Sequence, residues 1–192
     1  MAPTPSMRDH ILATAGTLFY QEGIRAVGVD RIIAEAGVAK PTLYKHFRTK
    51  EALILTYLEG RHEAVIGALT AAMQAAEAEP LPRVLAIFEW LETKVEVESG
   101  RGCAFLLALA EHEESGPIKD IVKGHKDALR ALFTSALGLR GRRAADLPLQ
   151  LAQLYDGALS TIMVRRNKEG ATLARKTARI LVSAWLEPAA AR

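Results

Sequence analysis

Apolar residues along this chain recur three or four positions apart, which is the spacing of one face of an α-helix. The first stripe begins near Met7 and ends before Gly23, and a second, shorter one ends at Gly37, a residue suited to a left-handed helix end. No segment alternates apolar and polar residues over strand length, and no hairpin turn separates such segments. We therefore predict an all-α fold of about nine helices.

Helix caps and prolines set the remaining boundaries. Thr49 is a good N-cap for a long fourth helix that begins near Lys50 and reaches the mid-70s, before Pro80 and Pro82. Residues 1–6 show no periodicity and are predicted to be disordered. A first domain is predicted at 7–48 and a second at 49–192. Further stripes predict helices at about 81–97, 103–114, 116–136, 147–166 and 171–186, with a basic loop at 138–146.

The short stretch KPTLYKHFRTK at residues 40–50 combines basic, aromatic and apolar side chains without any acid. On a helical wheel, Leu43 and Phe47 face inward, four residues apart, while Pro41 and Lys45 point away. The residue before a proline disfavours helical angles, so Lys40 is predicted to be the cap and Pro41 the first helical residue. Two short helices joined by a tight Gly-containing turn, the second one basic, are typical of a helix-turn-helix, here at about 28–47.

Charge is concentrated at this end of the chain. Seven basic and four acidic residues among the first 50 carry the whole net charge of +3, so the remainder is neutral. A basic head on a neutral body favours a polyanion such as DNA, whose major groove admits one helix. A basic helix that is merely solvated, or one that binds an acidic protein in a helical adaptor, stays open at this point.

Residues 11–53 (ILATAGTLFYQEGIRAVGVDRIIAEAGVAKPTLYKHFRTKEAL) strongly resemble the DNA-binding head of the tetracycline-repressor (TetR) family, through LFYQEG, VDRIIAEAGV, TLYKHF and the following Lys50-Glu51. Ala39, Pro41 and Gly28 depart from the pattern, at positions where the family usually has Ser, a small residue, and Thr or Ser. The resemblance implies contacts to double-stranded DNA, with Lys45 as the base reader and Lys50 on a phosphate, by Arg25, Val29, Thr42, Tyr44, Lys45, His46 and Lys50. The basic stretch itself adds Pro41, on the outward face of the helix, and Lys40 and Arg48 as further candidate phosphate contacts.

The same resemblance implies a homodimeric regulator, most often a repressor, that binds a palindromic operator and is released by a small-molecule effector. The C-terminal domain would then bind the effector and form the dimer. Candidate pocket residues, each of which also fits plain core packing, are Trp90, Phe105, His125 and Tyr155. In the family the last two helices pack against those of the partner; the candidates here, which fit plain core as well, are Leu151, Leu154, Ala158, Ile162, Ile180, Leu181 and Trp185.

Other chemistry finds less support in the sequence. Cys103, the single cysteine, is either a redox or electrophile sensor or a small buried apolar residue. The run from Glu111 to Glu114, with His62 and His125, lacks metal-ligand spacing, so a surface acidic cluster is favoured and no metal or cofactor is expected. No catalytic constellation is visible, and we expect no enzyme, although a small-ligand enzyme in the helical domain is the second alternative. The sequence begins without an apolar signal region, and a cytoplasmic protein is expected.

Overall fold

The computed structural model describes residues 6–97, 101–138 and 146–187. Over these ranges the chain forms nine α-helices and no strands, as the periodicity predicted. The helices are α1 (Met7–Glu22), α2 (Val29–Ala36), α3 (Lys40–His46), α4 (Lys50–Ala75), α5 (Pro80–Val97), α6 (Ala104–Glu111), α7 (Gly116–Ala136), α8 (Asp146–Arg165) and α9 (Glu169–Leu186). Most of the predicted basic loop lies outside the described residues.

Local chemistry explains where these helices begin and end. Gly37 ends α2 in the left-handed conformation (φ 63°), as predicted, and Thr49 caps α4 by accepting a hydrogen bond from the Ala52 amide at 3.0 Å. The predicted disordered segment 1–6 lies outside the described residues except for Ser6. Ser6 forms a capping box with Asp9, in which each side chain accepts from the other's backbone amide, so it belongs to α1.

The start of α3 differs by one residue from the prediction. Ala39 is the N-cap (φ −75°, ψ 148°), and its carbonyl accepts from the amide of Thr42 at 2.9 Å and from that of Leu43 at 3.3 Å. Lys40 is therefore the first helical residue rather than the cap, and Pro41 is the second. A proline fits there because the amide of the second helical residue has no acceptor within the helix, so the missing N–H costs nothing.

The first of two compact units extends to Glu63 and includes Ala104–Lys123. Its core joins α1, α2 and α3 through side chains that are almost fully buried, among them Ile11, Phe19, Ile32 and Leu43. The His10 ring also bonds the Ala36 carbonyl at the end of α2, across 3.0 Å. This unit therefore contains the predicted head together with the first half of α4, α6 and the start of α7.

The second unit comprises Ala64–Cys103 and the chain from Gly124 onward. Phe88 of α5 is fully buried in its core, with its ring centroid 5.6 Å from that of Phe133 and 6.0 Å from that of Tyr155. Helix α9 packs on both α8 and α5, and Arg175 of α9 binds Glu89 of α5 at 2.9 Å. The unit boundaries differ from the predicted division at residue 48, because α6 and the start of α7 are grouped with the head.

Candidate nucleic-acid interface

Helix α3 has one buried face and one exposed face, as the wheel predicted. Leu43 is 1% exposed and Phe47 3%, so these two side chains anchor the helix in the head. Tyr44 is 40% exposed, and Pro41, Lys45 and Arg48 are also exposed, while Thr42 and His46 are half-buried. Helix α3 therefore presents the Tyr44 hydroxyl and the Lys45 ammonium group to solvent, while Leu43 and Phe47 hold it in the head.

The cations of the head fall into paired and unpaired groups. Lys40 Nζ lies 3.2 Å from an Asp30 carboxylate oxygen, and Arg31 binds both Glu22 and Glu35. In the described part of the chain, no ion pair involves the side chains of Arg25, Lys45 or Arg48, which remain exposed. These three cations are available to phosphate groups, whereas the paired ones are partly neutralised.

Lys50, which the resemblance placed on a phosphate, donates from Nζ to the Ile24 carbonyl at 2.6 Å. Its side chain is half-buried, and this desolvation lowers the pKa of Lys50 below its ordinary value of 10.5, although nearby Glu111 acts in the opposite direction. The structure thus engages Lys50 with the α1–α2 turn inside its own unit.

The remaining predicted contacts lie at the start of α2 and in the turn before it. Arg25 is exposed in the turn, and Val29 is the half-buried first residue of α2. The N-cap Gly28 supplies no side-chain acceptor, so the first-turn amides of α2 stay available to an anion. Sequence reasoning missed Arg8, whose guanidinium lies 5.0 Å from the centre of the Phe47 ring. Its position in the first turn of α1 was the only available signal.

The predicted effector-pocket residues are distributed over both units. Phe105 is buried in the first unit, whereas Trp90, His125 and Tyr155 belong to the second, where His125 and Tyr155 are buried. Two cavities of the first unit involve none of the four. One holds about 10 Å³, and the other, about 400 Å³, is lined by Arg25 and residues 110–115.

The predicted dimer residues divide into buried and exposed sets. Leu151, Ala158 and Ile162 are at most 4% exposed because they pack in the core of their own unit, which leaves no surface for a partner. Leu154 and Leu181 are half-buried against the same core. Ile180 is 68% exposed and Trp185 37%. Other large apolar side chains exposed on α8 and α9 are Leu149, Met163, Val164, Leu173 and Leu186.

Cys103 is half-buried, and its Sγ lies 3.5 Å from Lys126 Nζ, which also binds Asp156. The preceding Gly102 has a φ of +81° and approaches α8 so closely that an added Cβ would lie 3.1 Å from the Met163 Cβ. The thiol is therefore less buried than its apolar sequence context indicated. Among the described residues, no three His, Cys, Asp or Glu side chains are grouped to hold a metal ion.

A tight turn between α2 and α3, a buried anchor on α3 and an exposed basic face together define the class of helix-turn-helix DNA-binding domains. Comparison with known proteins agrees. The profile of bacterial regulatory proteins of the tetR family matches residues 11–57. None of the helices in the described ranges has the length and apolar character needed to cross a membrane.

The chain belongs to the TetR family of transcriptional regulators. The crystal structure of a TetR-family regulator from Streptomyces coelicolor matches with a TM-score of 0.81 and 32% identity, covering 94% of this chain and 89% of that one. The transcriptional repressor NemR of Escherichia coli is 34% identical over 82 residues, 43% of this chain. The transcriptional activator FasR of Mycolicibacterium smegmatis is 26% identical over 155 residues, covering 79% of this chain and 70% of FasR. The match to NemR spans only 41% of the length of NemR.

Proposed function

We propose that this protein is a transcriptional regulator that binds a palindromic DNA operator as a homodimer and works in the cytoplasm. The observation that carries the proposal is the surface of α3 and of the residues just after it, where Tyr44, Lys45 and Arg48 are exposed while Leu43 and Phe47 are buried. Such a helix fits the major groove, where lysine can donate to guanine O6 and N7. The nearby Arg25 supplies a further unpaired cation for the phosphate backbone.

The salt dependence of DNA binding tests this assignment. Arg25, Lys45 and Arg48 on each head give six cations in a dimer, and each neutralised phosphate contributes about −0.9 to the slope of log K against log salt. A slope near −5 is expected on a mixed-sequence 30-base-pair duplex, measured by fluorescence anisotropy. Arg48→Ala removes two contacts per dimer and should make the slope shallower by about 2.

Lys119→Ala is the matched control for this experiment. Lys119 is an exposed cation of α7, it has no ion pair within the described ranges, and its removal changes the net charge by the same amount. The slope of log K against log salt for Lys119→Ala should equal that of the wild type. Equal slopes for wild type and Arg48→Ala would contradict the phosphate role, and absence of any DNA binding would refute the proposed function.

Dimer formation is proposed from the exposed apolar residues of α9 and from the family resemblance. Leu173 and Ile180 are two turns apart on one face of α9 and are 52% and 68% exposed. Buried apolar surface of this kind contributes roughly 25 cal/mol per Å² when a partner covers it. A dimer places two heads on two half-sites, which is why the operator is expected to be palindromic.

Repression with release by a small molecule is the regulatory mode we propose. NemR is named a repressor and FasR an activator, so the sign of regulation must be measured, by comparing transcript levels with and without the gene. Aromatic and polar side chains of the second unit, namely Trp90, His125 and Tyr155, are the candidate effector contacts. An effector changes the affinity for DNA only if its own affinity differs between the conformation that binds DNA and the conformation that does not.

A further inference from the structure

Glu111, the last residue of α6, binds the turn between α1 and α2. Its Oε2 accepts a hydrogen bond of 2.6 Å from the backbone amide of Arg25. Its Oε1 lies 3.0 Å from the place that a Cβ on Gly23 would occupy, and Gly23 has a φ of +101°. A side chain at residue 23 would therefore be strained by its backbone and would crowd the carboxylate. The glycine at this position permits both the turn and the contact.

Two further contacts hold the same region of the first unit. Lys50 donates to the carbonyl of Ile24, the residue between Gly23 and Arg25, so the turn is bound by an anion at its amide and by a cation at its carbonyl. On α4, Glu51 accepts from the Ser115 hydroxyl at 3.1 Å, four residues after Glu111. The segment 111–115 is therefore bound both to the turn and to the start of α4.

We propose that Glu111 is a positioning residue for DNA binding, which fixes the α1–α2 turn so that Arg25 and the start of α2 meet the phosphate backbone. This inference rests on the proposed function. Hydrogen bonds to an ionised carboxylate are shorter and roughly twice as strong as neutral ones. Without the Glu111 carboxylate, the turn keeps two hydrogen bonds of 3.2 Å between backbone groups. The Gly23 amide donates to the Phe19 carbonyl, and the Val27 amide donates to the Gly23 carbonyl. Arg25 itself would lose its amide partner.

Glutamine and alanine at residue 111 test the proposal, with Glu113→Gln as the matched control. Glu113 is exposed, lies two residues away and loses the same charge. Removing an acid near a polyanion should leave DNA binding unchanged or strengthen it slightly, which is the result expected for the control. Glu111→Ala should instead weaken binding to the mixed-sequence duplex about tenfold. Glu111→Gln, which keeps an acceptor oxygen but no charge, should weaken it less.

An NMR measurement on the DNA-free protein separates positioning from general structural damage. A short hydrogen bond to a carboxylate moves the Arg25 amide proton downfield, and this shift should be lost in Glu111→Ala and reduced in Glu111→Gln while it persists in Glu113→Gln. If Glu111→Ala does not fold, the nearly isosteric Glu111→Gln decides the question.

The outcomes are distinguishable. A wild-type protein that binds no duplex would refute the proposed function. A wild type that binds, together with a Glu111→Gln variant as tight as Glu113→Gln, would overturn the positioning role alone. An unchanged Arg25 amide shift in Glu111→Gln and Glu111→Ala would overturn it as well.

Discussion

The close approach of α8 and α9 at Gly170 can be tested by adding a single methyl group. A Cβ at this residue would lie 2.7 Å from the Thr161 Cβ and 2.8 Å from the Ala158 carbonyl oxygen. Carbon atoms in ordinary contact are about 3.5–4.0 Å apart, so α9 would have to move by roughly 0.8 Å or more. Neither neighbour yields easily, since one is a backbone atom inside α8 and the other belongs to a β-branched side chain.

The expected cost follows from these distances. Overpacking a well-filled site costs typically about 1–3 kcal/mol, whereas replacing glycine by alanine in a helix gains at most about 1 kcal/mol. Gly170→Ala should therefore destabilise the protein by about 1–2 kcal/mol. Gly157→Ala is the matched control, because Gly157 lies in α8 with nothing within 4 Å of its added Cβ. That variant should gain about 0.5–1 kcal/mol.

Thermal unfolding followed by circular dichroism measures both effects. For a chain of this length, 1 kcal/mol corresponds to about 2–4 °C in Tm, so Gly170→Ala should melt about 4 °C lower and Gly157→Ala about 2 °C higher. Equal melting temperatures for Gly170→Ala and wild type would refute the close approach. Because Gly170 packs against α8 of the same chain, Gly170→Ala should lower stability to the same extent at any protein concentration.

Three other variants test separate features. Lys45→Ala should relax base preference by about 1–3 kcal/mol at one operator position, and a selection from random DNA that returns the wild-type motif would contradict base reading by Lys45. Ile180→Asp should convert a dimer into a monomer in sedimentation, while Leu106→Asp, at an exposed apolar residue of α6, should not. Because burial lowers the pKa of Lys50 below 10.5, the unfolded chain binds more protons and the free energy of unfolding should rise as the pH increases toward that value. Lys50→Met should remove this rise, which urea midpoints at about pH 8 and about pH 10 would show.

The sequence predicted the helices well because their signals are local. Apolar spacing gave nine helices, and Thr49 and Gly37 gave ends that the structure confirms. Lys40 is helical although it precedes a proline, because the two hydrogen bonds that the Ala39 carbonyl accepts outweigh the local bias of the residue before proline. Local rules decide such a boundary only to within a residue or two.

The predicted dimer residues show where periodicity stops being informative. A helical stripe says which side chains share a face, but α8 and α9 each have apolar residues on more than one face. The structure buries Leu151, Ala158 and Ile162 in the unit and leaves Leu173 and Ile180 exposed. Choosing between core and surface requires knowing which helix covers which face, and α9 is covered by both α5 and α8.

The role of Glu111 was beyond sequence reasoning for a different physical reason. Its hydrogen bond to Arg25 joins residues 86 positions apart, and no periodicity relates them. Within the acidic run from Glu111 to Glu114, nothing in the sequence separates the carboxylate that binds a backbone amide from the exposed one at Glu113. Lys50 is the counterpart, since a basic residue beside the reading helix suggests a phosphate contact, yet its ammonium group is engaged with the Ile24 carbonyl. Surface charge on this head is therefore divided between side chains that meet DNA and side chains that hold the DNA-binding turn, and only their contacts distinguish the two.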